Sequence, residues 1–293
     1  MREERGSTTA EIVCSWRALE ACLPPERRLL DDPYAAGFLR GLRAGWLGAL
    51  RRLPSGLRLG AARAIDVSLS GTYSFVIARH RQIDERLRAF DGEQVVLLGA
   101  GYDSRRARLR EHLVGKRVFE VDHPATARAK AERAAGAFGG ARLAPAQEVQ
   151  VDFVRESFAD ALLAHGFEQG APTAWVWEGV SMYLPEAGVL ECLQRIAGLS
   201  GPGSWVSFDA LTNPGGLEGA SLRALSAALR VVGEPFLWTP SPLDLARVVS
   251  RSGLDVAEVC PTVDLVRRFD PRRVSRGLLE SSLVLVHATS RGG

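Results

Sequence analysis

The chain has 293 residues, 46% hydrophobic and 24% charged, which points to a folded chain of one large or two small domains and excludes a disordered or fibrous one. Its formal net charge of +3 is too small to argue for nucleic acid or an anionic membrane surface as partner. No run of about 20 apolar residues occurs, so no membrane span is expected. Cys14, Cys22, Cys192 and Cys260 form no C-x-x-C pair and have no His at ligand spacing, so neither a disulfide framework nor a metal site is expected. The first residues, Met1 to Ser7, are mostly charged and polar, without the apolar stretch of a signal peptide, and a cytoplasmic protein is the expectation.

Residues 1–90 read as a helical cap that belongs to the same domain as the rest of the chain. A first helix starts at Thr8 or Thr9, and Ile12, Val13, Trp16, Leu19 and Cys22–Leu23 give it one apolar face before Pro24-Pro25 ends it. Asp31-Asp32-Pro33 starts another, with Asp as cap and Pro in the first turn. A further helix is expected from about Ser74 to Phe90, carrying Arg79, His80, Arg81, Asp84, Glu85, Arg86 and Arg88. Arg86 and Arg88 read as a solvated face. Arg79 and Arg81 follow the apolar segment 73–78, and either can point inward.

From 91 to 293 the pattern is a core in which strands alternate with helices. Expected strands are Gln94–Leu98, Arg117–Val121, Val149–Val151, Thr173–Trp177 and Trp205–Phe208, with later ones at Asp255–Val259 and Ser282–His287. Helices fit His123–Gly136, Ser157–His165, Pro185–Leu199 and Pro242–Ser252. Such alternation calls for a mostly parallel α/β sheet with right-handed crossovers. Residues 212–240 interrupt it and read as an inserted lid, with a helix at 217–232 followed by the irregular, apolar stretch 233–238.

The chain is organised around Val95-Val96-Leu97-Leu98-Gly99-Ala100-Gly101-Tyr102-Asp103-Ser104. Four apolar residues running into two glycines read as a strand buried on both faces, then a tight exit where backbone can approach a ligand. Asp122 ends the second strand, 23 residues past Gly99, where an acid accepts hydrogen bonds from ribose hydroxyls. The alternative is that Asp122 caps the helix that Pro124 begins. Acids also end the third, fourth and fifth strands, at Asp152, Glu178 and Asp209. Ser104 stands where a dinucleotide fingerprint has Gly or Ala. That shifts the reading from NAD toward a cofactor with ribose and adenine but no pyrophosphate, such as S-adenosylmethionine.

Three segments carry a family resemblance: 95–109, Phe119-Glu120-Val121-Asp122-His123-Pro124 and Trp177-Glu178-Gly179-Val180-Ser181-Met182-Tyr183-Leu184-Pro185. Together with looser matches at Asp32-Pro33-Tyr34 and Ala78-Arg79-His80-Arg81, they resemble the leucine carboxyl methyltransferase family over about residues 8–290. The family includes bacterial small-molecule O-methyltransferases of the tetracenomycin polyketide type. The resemblance implies a seven-stranded, mostly parallel class I methyltransferase sheet and S-adenosylmethionine as donor. It also implies that Arg79 holds the donor carboxylate, with Arg81 competing for that role, and that Gly99, Ala100 and Gly101 line the donor. Asp122 would take the ribose with His123 beside it, Asp152 and Phe153 would flank the adenine, and Glu178 would meet the donor amino group.

Methyl transfer from a sulfonium needs the nucleophile and the methyl held in line. A carboxylate, with a reference pKa near ~4, needs no base, whereas a phenol near ~10 benefits from one. His112 and His165 read as surface residues and His287 lies in the last strand, so the one candidate base is His80. Tyr73, Met182, Tyr183, Asp209 and Trp238 are candidate acceptor-side residues, with core packing or helix capping as the competing readings. The expected function is methylation of a carboxylate or hydroxyl on a small molecule. Its alternatives are methylation of a protein's C-terminal carboxylate, an NAD-type oxidoreductase, or a non-catalytic nucleotide binder. Oligomeric state is open.

Overall fold

The computed structural model describes residues 8–153, 155–216, 218–220, 222–223, 226, 236–271 and 281–291. Among them, seven strands form one sheet: β1 (Gln94–Leu98), β2 (Arg117–Asp122), β3 (Gln147–Gln150), β4 (Thr173–Trp177), β5 (Trp205–Leu211), β6 (Leu254–Pro261) and β7 (Leu283–Ser290). Their order is β3-β2-β1-β4-β5-β7-β6, parallel except that β7 runs antiparallel between β5 and β6. All residues of β1 and β4 are buried, as strands covered by helices on both faces must be. Their side chains alternate between two cores. Val95 and Leu97 join one cluster, and Val96 and Leu98 the other.

The first face is covered from the N-terminal side by α1 (Thr8–Glu20), α3 (Gly41–Arg51), α4 (Ser55–Ser68) and α5 (Thr72–Arg88), while α2 (Ala35–Phe38) packs on α1 in a third, smaller cluster with Cys14, Ala18 and Ala137. Of these, α5 lies deepest, with residues 73–80 all buried. After β1 come two short turns of helix, α6 (Arg105–Arg108) and α7 (Arg110–Leu113). Then follow α8 (Pro124–Phe138), α9 (Phe158–Ala164), α10 (Glu186–Leu199) and α11 (Pro242–Arg251). The second face packs under α9, α10 and α11 through residues such as Phe158, Leu193 and Val249.

Several expectations need correcting. The third strand runs from Gln147 to Gln150 rather than Val149–Val151, so Asp152 lies two residues past its end. Residues 262–269 form a helix, α12, which the sequence reading lacked. It is short and begins straight after Pro261, and only Leu265 and Val266 of its apolar side chains mark a buried side. The fifth strand runs three residues beyond Phe208, because antiparallel pairing with β7 continues through Asp209 to Leu211. The helix expected at 217–232 falls largely outside the described residues. The segment after it is anchored: the amides of Leu237 and Trp238 reach the Met182 carbonyl at 2.8 and 3.3 Å, and that of Asn213 reaches the Pro240 carbonyl at 2.7 Å.

Candidate active site

Sheet register brings the strand-end residues into one row. Leu98 pairs with Val121 and with Trp177, and Trp177 pairs with Phe208. One residue further along each parallel strand stand Gly99, Asp122, Glu178 and Asp209. They share the carboxyl edge of the sheet, where open α/β sheets bind ligands. β3 enters the row with Gln150 opposite Asp122, so Asp152 and Phe153 lie further out.

The turn after β1 has the geometry its glycines allow. Gly99 and Gly101 have φ of 75° and 47°, in the left-handed region. A Cβ on Gly99 would come 3.2 Å from Val180 Cγ2, and one on Gly101 would come 3.2 Å from Ala10 Cβ. Gly101 therefore also makes room for α1. Ala100, half-buried, packs on the first-face core. Asp122 closes the turn: its Oδ2 accepts from the Gly101 amide at 2.5 Å and its Oδ1 from the His123 amide at 2.7 Å. Each oxygen keeps a lone pair for a further donor. Burial pushes the Asp122 carboxyl above its ordinary range, against the pull of these two amides. The residue that caps α8 is His123 rather than Asp122, since its Nδ1 accepts from the Ala125 amide at 3.2 Å.

Glu178 sits between two arginines. Its Oε2 accepts from Arg105 Nη1 at 2.6 Å. Its Oε1 lies 2.8 Å from Arg79 Nε without hydrogen-bond alignment, so both atoms are buried and unsatisfied. Burial acts to raise the Glu178 carboxyl, but Arg105 and then Arg79 outweigh it and hold its pKa at about 2. Arg79 Nη1 also donates to Asp209 Oδ2 at 2.5 Å, and the Gly179 amide donates to Asp209 Oδ1 at 2.6 Å. Asp209 is thus neither a strand end nor a helix cap; it anchors Arg79. The two arginines also differ in placement. Arg79 is buried in the row, whereas Arg81 is half-buried, bonds Glu85 at 3.1 Å and stacks over Phe269 at 4.7 Å.

Asp152 and Phe153 stand at the open end of the row. Asp152 lies 3.6 Å from Arg155, and the Phe153 ring is 44% exposed. His80 is buried beside Glu178, with Nδ1 2.8 Å from the Val76 carbonyl. Burial, then Arg105 and Arg79, drive its pKa well below the ordinary imidazole value, which keeps it neutral and a weak base.

The acceptor-side candidates separate. Tyr73 is core: it is fully buried, and its hydroxyl donates to Glu20 Oε2 at 2.6 Å. Met182 is buried in the first-face core, while the Trp238 side chain packs into the second-face core, although its amide reaches the Met182 carbonyl. Tyr183 is half-buried, its ring 5.8 Å from Phe236 at 45°.

The sequence reading missed the ionic cluster beneath the row. Arg105 is fully buried; its Nε donates to Asp84 Oδ1 at 2.7 Å and its Nη1 to Asp103 Oδ2 at 2.6 Å as well as to Glu178. Arg108 pairs with the other oxygen of Asp84. Arg17 bridges Asp32 at 2.7 Å and Ser104 at 3.2 Å, and the Ser104 hydroxyl donates to Asp32 at 2.7 Å. Asp32 also accepts from the amides of Tyr34 and Ala35, the capping role expected of it. One signal was available. Tyr73, Ile77, His80, Asp84 and Leu87 succeed one another at helical spacing along the apolar stripe of α5, and an acid on such a stripe needs a buried cation.

The strand order with antiparallel β7 is that of the class I methyltransferase sheet. A crystal structure described as that of a methyltransferase from Thermobifida fusca YX superposes with a TM-score of 0.56 over 94% of both chains, at 16% identity, and shows the same fold. A family model, Leucine carboxyl methyltransferase, matches residues 10–197. A Rhodococcus jostii strain RHA1 protein, provisionally named an S-adenosyl-L-methionine-dependent methyltransferase, is 38% identical over 204 residues, covering 69% of this chain. A Mycobacterium marinum protein with the same provisional naming is 32% identical over 235 residues, covering 77% of this chain and 73% of its own length. The match spans 64% of the Rhodococcus protein, just under two thirds. The chain belongs to the leucine carboxyl methyltransferase family.

Proposed function

We propose that this protein is an S-adenosylmethionine-dependent methyltransferase that methylates an oxygen of a small molecule, such as a polyketide-type acid or phenol. The observation that carries the reading is the row itself. An unsatisfied Arg79 Nε and an unsatisfied Glu178 Oε1 are buried together, two residue columns from an Asp122 with lone pairs to spare. A donor with one carboxylate, one ammonium and a ribose diol fits that set. Arg79 would take the carboxylate, Glu178 the ammonium and Asp122 the ribose hydroxyls. Gly99, Ala100 and Gly101 would supply the close backbone, and the exposed Phe153 ring beside Asp152 a face for the adenine. When bound, such a donor supplies an electrophilic methyl on a sulfonium.

The remaining residues bear on the acceptor. Tyr183 and Phe236 form an aromatic pair packed on the first-face core, with Trp16 against the same core. They offer an apolar wall suited to a ring system. A neutral His80 flanked by arginines is a poor proton acceptor, which favours a carboxylate, already ionised at neutral pH. Ser104 argues against a dinucleotide, because its side chain is committed to Asp32 and Arg17 and supports the N-terminal helices. Titration calorimetry with S-adenosylhomocysteine tests the reading. One-to-one binding is expected, and no heat at millimolar ligand would overturn it.

A further inference from the structure

Away from the site, α3 and α4 carry apolar side chains on the outside. Leu42, Trp46, Leu53, Leu57, Val67 and Leu69 are all exposed, Leu42 to 94% and Val67 to 67%. On α3, Leu42, Trp46 and, just past its end, Leu53 recur at intervals of four and seven, which is one side of a helix. On α4, Leu57, Ala64 and Val67 recur at intervals of seven and three. The inward sides are separate. Leu47 and Leu50 are buried on α3 and Ala62 on α4, where Leu59 and Ile65 pack on the first-face core. Each helix is thus apolar on two sides, and the chain itself covers the inward one.

The charge around this face is one-sided. Residues 41–69 hold Arg43, Arg51, Arg52, Arg58 and Arg63 against the single acid Asp66. Asp66 is committed to the amide and hydroxyl of Ser74, both at 2.8 Å. Arg43 leans on Glu11 at 3.7 Å, Arg51 Nε donates inward to Cys22 Sγ at 3.4 Å and the Arg58 Nε is buried, so the exposed Arg52 and Arg63 carry the positive charge of the outer side. Four net positive charges in 29 residues exceed the +3 of the whole chain, so the overall balance hid a local excess. A second copy on this face would bring two like-charged surfaces together, whereas an anionic surface would not. Apolar side chains with Trp on one side and arginines beside them are what an interfacial helix needs.

We propose that the outer face of α3 and α4 docks onto an anionic lipid bilayer, with Leu42, Trp46 and Leu57 at the acyl boundary and Arg52 and Arg63 among the headgroups. The inference does not depend on which reaction the site performs. The test is co-sedimentation of the full chain with vesicles of equal parts phosphatidylglycerol and phosphatidylcholine, and with phosphatidylcholine alone. Binding to the anionic vesicles only, weakened by high salt, is expected. Leu57→Glu should lower partitioning roughly tenfold or more, and Arg52→Gln about fivefold. Both variants should keep the wild-type circular dichroism and S-adenosylhomocysteine affinity, which separates a lost surface from a lost fold. Equal pelleting with and without phosphatidylglycerol, no pelleting with either, or a dimer in light scattering that Leu57→Glu dissociates would each overturn the proposal. The last result would assign the face to a second copy.

Discussion

The ionic cluster under the strand ends and the outer face of α3 and α4 depart from ordinary burial in opposite directions. The first buries Arg17, Arg79, Arg105 and Arg108 with their acids, and the second exposes Leu42, Leu57 and Val67. A buried charge is tolerated only where its partner is held in place, so removing one partner strands the rest. An exposed leucine asks nothing of the rest of the fold. The first region therefore ties the N-terminal helices to the sheet, and the second leaves the fold free to vary there.

The sharpest way to break this comparison is at Arg105. Arg105→Leu leaves Asp84, Asp103 and Glu178 without their shared cation and should cost about 3–5 kcal/mol, lowering the melting midpoint by roughly 10 °C. A fall of less than about 2 °C would mean that the cluster does little for stability.

Acid titrates the same contrast. His80 and His287 have folded pKa values below the ordinary 6.5, His287 at about 4, because burial first and nearby arginines second keep them neutral. Unfolded, both take up a proton below 6.5. Their contribution to stability is whole above pH 6.5 and is lost as pH falls toward 4, by about 3 kcal/mol for His287. Glu178 and Asp103, both held at about 2, add a second loss as pH falls from about 4 to 2. Urea unfolding at pH 7, 5 and 4 reads the first step, and His287→Asn should flatten it.

The two acids in the row should behave differently in binding. Asp122→Asn should weaken S-adenosylhomocysteine binding about tenfold, the loss of a charged hydrogen-bond acceptor. Because burial raises the Asp122 carboxyl, wild-type affinity should fall as pH drops toward the upper edge of the carboxylate range, while Glu178 stays ionised. Calorimetry across that range checks it. An acid limb that survives in the Asn variant would remove Asp122 from the donor site. The smallest effect is expected outside: Leu42→Ser should change unfolding free energy by less than about 0.5 kcal/mol in denaturant titration.

Much of the sheet was readable because its signals are local. β1 and β4 were placed to the residue, since a buried strand is a short apolar run ended by Gly or an acid, and both features lie within the run itself. The row of Gly99, Asp122 and Glu178 was readable with them, because parallel strands of similar length end at one edge. Asp209 was misjudged because the end of β5 is set by β7, a strand some 80 residues later. Trp238 and Met182 were both candidate acceptor-side residues, and only packing shows that their side chains join different cores.

By itself, the amino-acid sequence determined the alternation of strands and helices, the left-handed turn at Gly99–Gly101 and the acids beyond it. Each depends on neighbours a few residues apart, through backbone sterics and side-chain period. The tertiary structure decided which charges are buried and with whom. Arg105 draws Asp84 from α5, Asp103 from its own turn and Glu178 from beyond β4. Charged groups 21 and 73 residues apart acquire a common low-dielectric site only after the sheet and the N-terminal helices have closed around them.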